Sequence, residues 1–456
     1  MSFVGLLTSL LALAGIADLG MGSLMALHIA SVGGSGHLDE SASRKARGLL
    51  TRIVALAVGV FIAGAATAQP IGHWLLPSCE QTGINPVLLG TLSAACVGAR
   101  IVESAARGGV IAAGHQSLAA VTNLVLVMLR VVGASVALRM PGAGLSSFLW
   151  WILATQVLAS GLAAWQCWQA TRPNGSQAVP DVPSPHGSGF ALGVFLTAAF
   201  SSFAAQSDRL QMQGRISELD MTAYCLAAQL MAIRGLVAGP LFQSFFPRLA
   251  MARRCGNHEE SRFLVSRLTA WMCVAVIPPL ILAIVVPYEC LYAYTGSPRV
   301  ASAGANSMRL LGIAALLNTA SFPSFAVERA SGRWRAGLLH ALAGLALAWV
   351  GLHILTPRIG VLAGGVSQCG YYLLYLLCFS RSAAGAGASM KWLSLLARGA
   401  GPPSLLAAAA GGVTMLVLTP DSSRVATLLT LAGGLAFSWM AAAAAELIAR
   451  SASPCP

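Results

Sequence analysis

Three arginines lie inside long apolar runs with no acidic residue one helical turn to either side: Arg130 in TNLVLVMLRVVGAS, Arg234 in QLMAIRGLVAGP and Arg309 in ANSMRLLGIAA. A guanidinium at the centre of a bilayer costs roughly 2.5–3.5 kcal/mol on insertion scales, so each must have a structural or functional counterpart. Asn123 precedes Arg130 by two helical turns and Asn306 precedes Arg309 by one, which puts each amide on the same helix face as its arginine. Guanidinium groups from several helices facing one space would form a cationic cavity. Such a cavity suits diphosphate and acidic sugars, because the planar fork grips these groups with two parallel hydrogen bonds. The alternative is structural: pairing across helices with Asp18, Glu103 or Asp208, or snorkelling toward an interface.

The remaining ionisable residues in apolar surroundings divide along the same lines. Arg100 and Glu103 stand one turn apart and are expected to neutralise one another. Asp208 and Arg209 are adjacent and point in different directions, so Asp208 is a candidate cavity or ion-coupling residue. Asp18 is either a proton or cation site or a polar tether between helices. His340 and His353 titrate in a useful range, but histidine at helix ends is commonly interfacial. No nucleotide-binding loop, nucleophile elbow or paired extramembrane carboxylates occur, so no catalytic role is assigned. The ten cysteines contain no CxxC pair and no zinc-type spacing, and neither a metal nor a cofactor is expected.

These side chains must be positioned by helices in lipid. Of 456 residues, 56% are hydrophobic and 9% charged, against about 25% charged in soluble chains. Mean hydropathy is +0.73. With no alternating barrel pattern, the spans are helices. Runs bounded by charge or proline give about thirteen candidate spans. They lie near Phe3–Ala30, Leu49–Ala68, Pro86–Ile101, Leu118–Leu138, Leu145–Trp168, Phe190–Gln206, Thr222–Phe246, Leu264–Val286, Val300–Phe325, Ala336–Leu355, Ile359–Phe379, Ser404–Leu418 and Val425–Ala449. Pro240 and the Pro278-Pro279 pair are expected to interrupt two of them, as hinges or static kinks.

The net charge of +13 would suggest nucleic acid in a soluble protein. Here its source is the positive-inside bias. Alternate loops are basic, with Arg44, Lys45, Arg47, Arg107, Arg172, Arg248, Arg253, Arg254, Arg329, Arg333, Arg335 and Lys391 on one side, which is therefore cytoplasmic. That orientation leaves the N-terminus outside. The first apolar run has no basic n-region and reads as a span and not as a cleaved leader. The segment QATRPNGSQAVPDVPSPHGSG, rich in Pro, Ser and Gly, reads as a linker. The expected organisation is an N-terminal lobe of five helices at 1–168, a cytoplasmic linker at 169–189, a six-helix lobe at 190–380 and two further helices at 381–456.

Two stretches carry a family resemblance. LLALAGIADLGMGSLMALHIA, Leu10 to Ala30, and SDRLQMQGRISELDMTAYCLAAQL, Ser207 to Leu230, followed by FFPRLA at Phe245 to Ala250, are similar to the second helix and the seventh-to-eighth helix region of polysaccharide (Wzx-like, O-antigen) flippases. These belong to the multidrug/oligosaccharidyl-lipid/polysaccharide (MOP) exporter superfamily. The resemblance implies an all-α polytopic fold with two helical lobes around a central cavity, in the bacterial inner membrane. It implies flipping of undecaprenyl-diphosphate-linked oligosaccharide repeat units for surface polysaccharide biosynthesis. Polysaccharide polymerase and chain-length machinery would be its partners, with no nucleic acid. The family's first helix has no counterpart, which points either to a start further upstream or to a lobe of five helices. Three other readings stay open: a drug or metabolite exporter of the same superfamily, which should prefer an acidic cavity; a membrane enzyme, which would need a long external loop; and a truncated non-transporting homologue.

Overall fold

The computed structural model describes residues 40–70, 85–139, 145–172 and 188–385, with positions 22, 25, 29, 424, 426, 427 and 430–436 besides. Among the described residues the regular structure is entirely helical, as the absence of a two-residue periodicity requires. Every segment read as a span between Leu49 and Phe379 falls on a helix. Eight of these helices are long and apolar enough to cross a membrane, and the chain is a multi-pass membrane protein. Asp18, Cys79, most of the linker and nearly all residues beyond 385 lie outside the described residues.

The chain forms two compact units, 1–202 and 203–456. The first contains α1 (Glu40–Ala66), α2 (Pro86–Ala112), α3 (Gln116–Arg139) and α4 (Leu145–Ala170). Helix α2 packs against α1, α3 and α4. It starts at Pro86, where proline sacrifices no helical hydrogen bond, and the Asn85 side chain accepts the Val87 N–H at 2.9 Å. Small residues let neighbouring backbones meet. A Cβ at Gly108 would lie 2.1 Å from the Gly22 carbonyl oxygen, so only glycine fits there.

The first turns of α1 dock on the end of α4. Arg47 donates to the Thr171 carbonyl at 3.4 Å, its guanidinium lies 4.7 Å from the Trp168 ring centroid, and Ser43 donates to Thr171 as well. A cation thus meets carbonyls that the last turn of a helix leaves without intrahelical partners. On α3 the side chains of Val121, Leu124, Val125, Met128 and Val132 are exposed. In a membrane protein, such a face is covered by lipid or by another apolar surface.

Helix α5 (Ser188–Met212) contains the division between the units. The second unit continues with α6 (Glu218–Arg254), α7 (His258–Val285), the short α8 (Pro287–Thr295), α9 (Pro298–Ala330), α10 (Trp334–Ile359) and α11 (Leu362–Gly385). Helix α9 is the hub, packing on α6, α7, α8 and α11, while α10 packs on α11. Side-chain caps begin α6, α7 and α9: Ser217, Asn257 and Ser297 accept the N–H groups of Asp220, Glu260 and Val300. Phe242, Phe246, Phe322 and Phe325 form one aromatic cluster between α6 and α9.

Two sequence expectations are corrected. Pro240 and Pro278-Pro279 do not interrupt α6 and α7, which run through them; neighbouring helices hold the chain where local bonds are lost. Arg107, expected in a loop, lies within α2, and Arg44, Lys45, Arg47, Arg248, Arg253, Arg254, Arg329 and Arg335, likewise read as loop residues, lie in the end turns of α1, α6, α9 and α10. Helix α2 continues beyond Ile101 because Arg100, Glu103 and Arg107 recur at one-turn spacing and compensate each other along one face.

The cysteines supply an accessibility test. Cys255 is exposed at the end of α6, whereas burial in α8 pushes the Cys290 thiol up to about 12. N-ethylmaleimide at pH 7.5 is therefore expected to modify Cys255 in the intact protein within minutes and the half-buried, less acidic Cys290 much more slowly, as read by peptide mass spectrometry. Equal modification of the two would contradict the packing of α8.

Candidate functional site

In the first unit, one buried carboxylate gathers polar groups from three helices. Glu103 of α2 is 2% exposed. Arg100 donates to its Oε2 at 2.8 Å and Arg107 donates to Oε1, each one turn away on the same helix. The Nε2 of Gln156, on α4, donates to Oε2 at 2.6 Å. The other end of that amide, Oε1, accepts from Nη2 of Arg130 on α3 at 2.8 Å. The pairing of Arg100 with Glu103 is thus present as read from spacing. Arg130 is half-buried, and among the described residues Gln156 links it to Glu103. The guanidinium groups of Arg100, Arg107 and, through Gln156, Arg130 thus gather about Glu103.

Beside it, Arg107, Thr122, Asn123, Gln166 and the apolar Leu126 and Ala163 line a cleft of about 10 Å³ between α2, α3 and α4. That volume admits about one water molecule. Gln166 donates to Thr122 across the cleft at 2.8 Å. Asn123 and Arg130 therefore do share a face of α3, toward α4, as their spacing requires.

In the second unit, Arg234 of α6 occupies a pocket without a carboxylate among its described contacts. Its Nη2 donates to the Tyr372 hydroxyl at 3.3 Å, and its guanidinium lies 5.5 Å from the Tyr372 ring centroid. With its amide oxygen turned to the guanidinium, Asn318 of α9 accepts from both terminal nitrogens, at 2.9 Å from Nη2. An amide, a phenol and a π-face thus hold this cation. Arg309 differs: it is exposed, and its Nη1 donates to Asn306 Oδ1 at 3.3 Å. The Asn306–Arg309 contact was legible in the spacing.

Asp208 is buried inside the second unit. It accepts from the Arg209 backbone N–H at 2.8 Å, from the Tyr224 hydroxyl of α6 and from the Gln368 side chain of α11. The neighbouring arginine thus contributes its backbone hydrogen bond and its field, not a direct ion pair. At Gly364 a Cβ would lie 2.6 Å from the Tyr224 hydroxyl oxygen. Gly364→Ala is therefore expected to push that hydroxyl off Asp208 and to destabilise the protein by about 1–3 kcal/mol, read as a lowered thermal midpoint. Tyr224→Phe should cost about 1–2 kcal/mol; a neutral Gly364→Ala would show that the close approach does not hold.

Near the end of α9, buried Glu328 has its Oε2 3.6 Å from His340 Nδ1 of α10, so this histidine faces a carboxylate. Gln156, Asn318, Tyr372, Tyr224 and Gln368 are all site residues missed from the sequence. The available signal was an amide or phenol within an apolar run, as in LATQVLAS, but spacing along one helix cannot show which arginine it meets on another.

Among the described residues, no group of three or more His, Cys, Asp or Glu is placed to hold a metal ion. No family model and no curated protein matches the sequence. Solved structures do match in fold. A MOP superfamily transporter from Pyrococcus furiosus, described as having a binding pocket of reverse polarity that suggests a different function, aligns over 85% of this chain and 86% of its own, with TM-score 0.61 and 14% identity. A MATE protein in complex with MaL6 aligns over the same shares with TM-score 0.62 and 15% identity. An outward-facing multidrug resistance MATE family transporter of the MOP superfamily also aligns over 85% and 86%, with TM-score 0.58 and 14% identity. The chain has the fold of these transporters.

Proposed function

We propose that this protein is a secondary carrier that moves the anionic diphosphate head of a lipid-linked oligosaccharide across the bacterial inner membrane, for surface polysaccharide biosynthesis. The observation that supports this reading is the gathering of three arginines, Arg100, Arg107 and Arg130, about Glu103 within the spans. Cations placed in spans are costly, and guanidinium groups suit a diphosphate because they bind its oxygens with paired hydrogen bonds. Arg130, Arg234 and Arg309 are the proposed substrate contacts. Arg100 and Glu103 position the first of these, and Asp208 and Asp18 are candidates for ion coupling. The prenyl tail would stay in lipid while the head crosses. Polymerase and chain-length machinery would act on what is delivered.

Drug export is the second reading, favoured by the multidrug resistance transporter among the structural neighbours. The gathering of arginines within the spans argues against cationic drugs. The Pyrococcus furiosus neighbour, whose binding pocket of reverse polarity is taken to suggest a different function, supports the view that one fold serves more than one function.

The test is deletion of the gene in its host with complementation by wild type. Flipping predicts loss of surface polymer and lipid-linked repeat units trapped on the cytoplasmic leaflet, both reversed by wild type. Normal polymer with altered drug tolerance would overturn the proposal in favour of export.

A further inference from the structure

Resting on the anionic-head reading above, we infer that Asn318 is a positioning residue in the second unit, which holds one edge of the Arg234 guanidinium so that the edge carrying Nε meets the oxygens of a phosphate. Helix α9 packs on both α6 and α11, and Arg234 of α6 meets a residue of each. With its amide oxygen turned to the guanidinium, Asn318 of α9 accepts from Nη1 and from Nη2, the latter at 2.9 Å. The opposite orientation of the amide would set N–H against N–H. Tyr372 of α11 adds its hydroxyl, 3.3 Å from Nη2, and its ring, whose centroid lies 5.5 Å from the guanidinium carbon.

A guanidinium has two kinds of edge that can grip a pair of oxygens: the end formed by Nη1 and Nη2, and the side formed by Nε and the Nη beside it. Asn318 sits on the end. The side is different, because its Nε–H is buried and has no acceptor among the described residues. A cation that only tied three helices together would direct its buried donors at protein acceptors, since an unmet N–H is costly. Here the unmet donor lies on the edge whose fork matches two phosphate oxygens. Arg234, Asn318 and Tyr372 are each partly exposed, so the group stands at the surface of the second unit. Among the parts of the proposed substrate, the diphosphate head offers such an oxygen pair.

The test uses the full chain in nanodiscs, isotope-labelled at arginine Nε, with farnesyl diphosphate as anionic probe and farnesol as neutral control. The Arg234 Nε–H resonance is identified by its loss in Arg234→Lys. Wild type should bind the diphosphate in preference to the alcohol, and that resonance should shift on adding the diphosphate and stay in place on adding farnesol. Asn318→Leu, with its thermal midpoint measured alongside, should weaken diphosphate binding tenfold or more, the scale of one hydrogen bond to a charged group. It should leave farnesol unchanged and abolish the shift. If Asn318→Leu does not fold, the wild-type resonance decides. A diphosphate that binds wild type without moving the Arg234 Nε–H, or an Asn318→Leu protein that binds it like wild type, would overturn this inference alone. A wild-type protein with no preference for diphosphate over farnesol would overturn the anionic-head reading and this inference with it.

Discussion

Replacing Glu103 by leucine is expected to destabilise the protein by about 3–5 kcal/mol, because it removes a buried carboxylate that pairs with arginines within the spans. Arg100 and Arg107 both direct a nitrogen to Glu103, and Gln156 donates to it from α4. Without it, Arg100 and Arg107 each lose this ion pair and the Gln156 N–H loses its carboxylate acceptor. The measurement is thermal unfolding in detergent followed by circular dichroism. A double substitution, Glu103→Leu with Arg100→Leu, should recover part of the loss, since it removes a cation that has lost this ion pair. A Glu103→Leu protein that unfolds within a few degrees of wild type would show that solvent, and not the carboxylate, neutralises these arginines.

Transport gives the other large effect. Arg130→Ala combined with Arg309→Ala is expected to lower the flipping rate roughly a hundredfold or more, taking about 1.5–3 kcal/mol for each hydrogen bond to a charged group and a factor of ten per 1.4 kcal/mol. Arg130→Lys should fall between wild type and alanine. It keeps the charge but loses the planar fork that reaches Gln156 and that, on the proposed function, would bind two phosphate oxygens. The assay is appearance of a fluorescent prenyl-diphosphate sugar in the opposite leaflet of proteoliposomes, with thermal stability measured in parallel. Rates unchanged in the double variant would exclude these arginines from the substrate path. An equal loss for Arg130→Lys and Arg130→Ala would mean that geometry, and not charge, is what matters at this position.

The two substitutions act on different levels of one structure. Glu103 makes a charged α2 tolerable in the fold, and that tolerance is what permits Arg130 to be held with its charge intact on the next helix.

The sequence by itself determined the class of molecule. Apolar runs of span length, and a charged fraction too low for a soluble chain, leave lipid-embedded helices as the only way to satisfy backbone hydrogen bonds. Helix spacing alone also brought Arg100 to Glu103 and Asn306 to Arg309, because side chains one turn apart on one helix meet whatever the tertiary fold. Tertiary structure decided everything that depends on which helices are neighbours. The partner of Arg130 is Gln156, far along the chain on α4, and the partners of Arg234 are Asn318 and Tyr372 on two other helices. The continuation of α2 through Arg107 is local in origin: a hydropathy reading ends a span where charges cluster, whereas Arg100, Glu103 and Arg107 at one-turn spacing pair along a single helix face. Local spacing fixes contacts along a helix; contacts between helices are set by packing, which a single sequence does not encode in any periodicity.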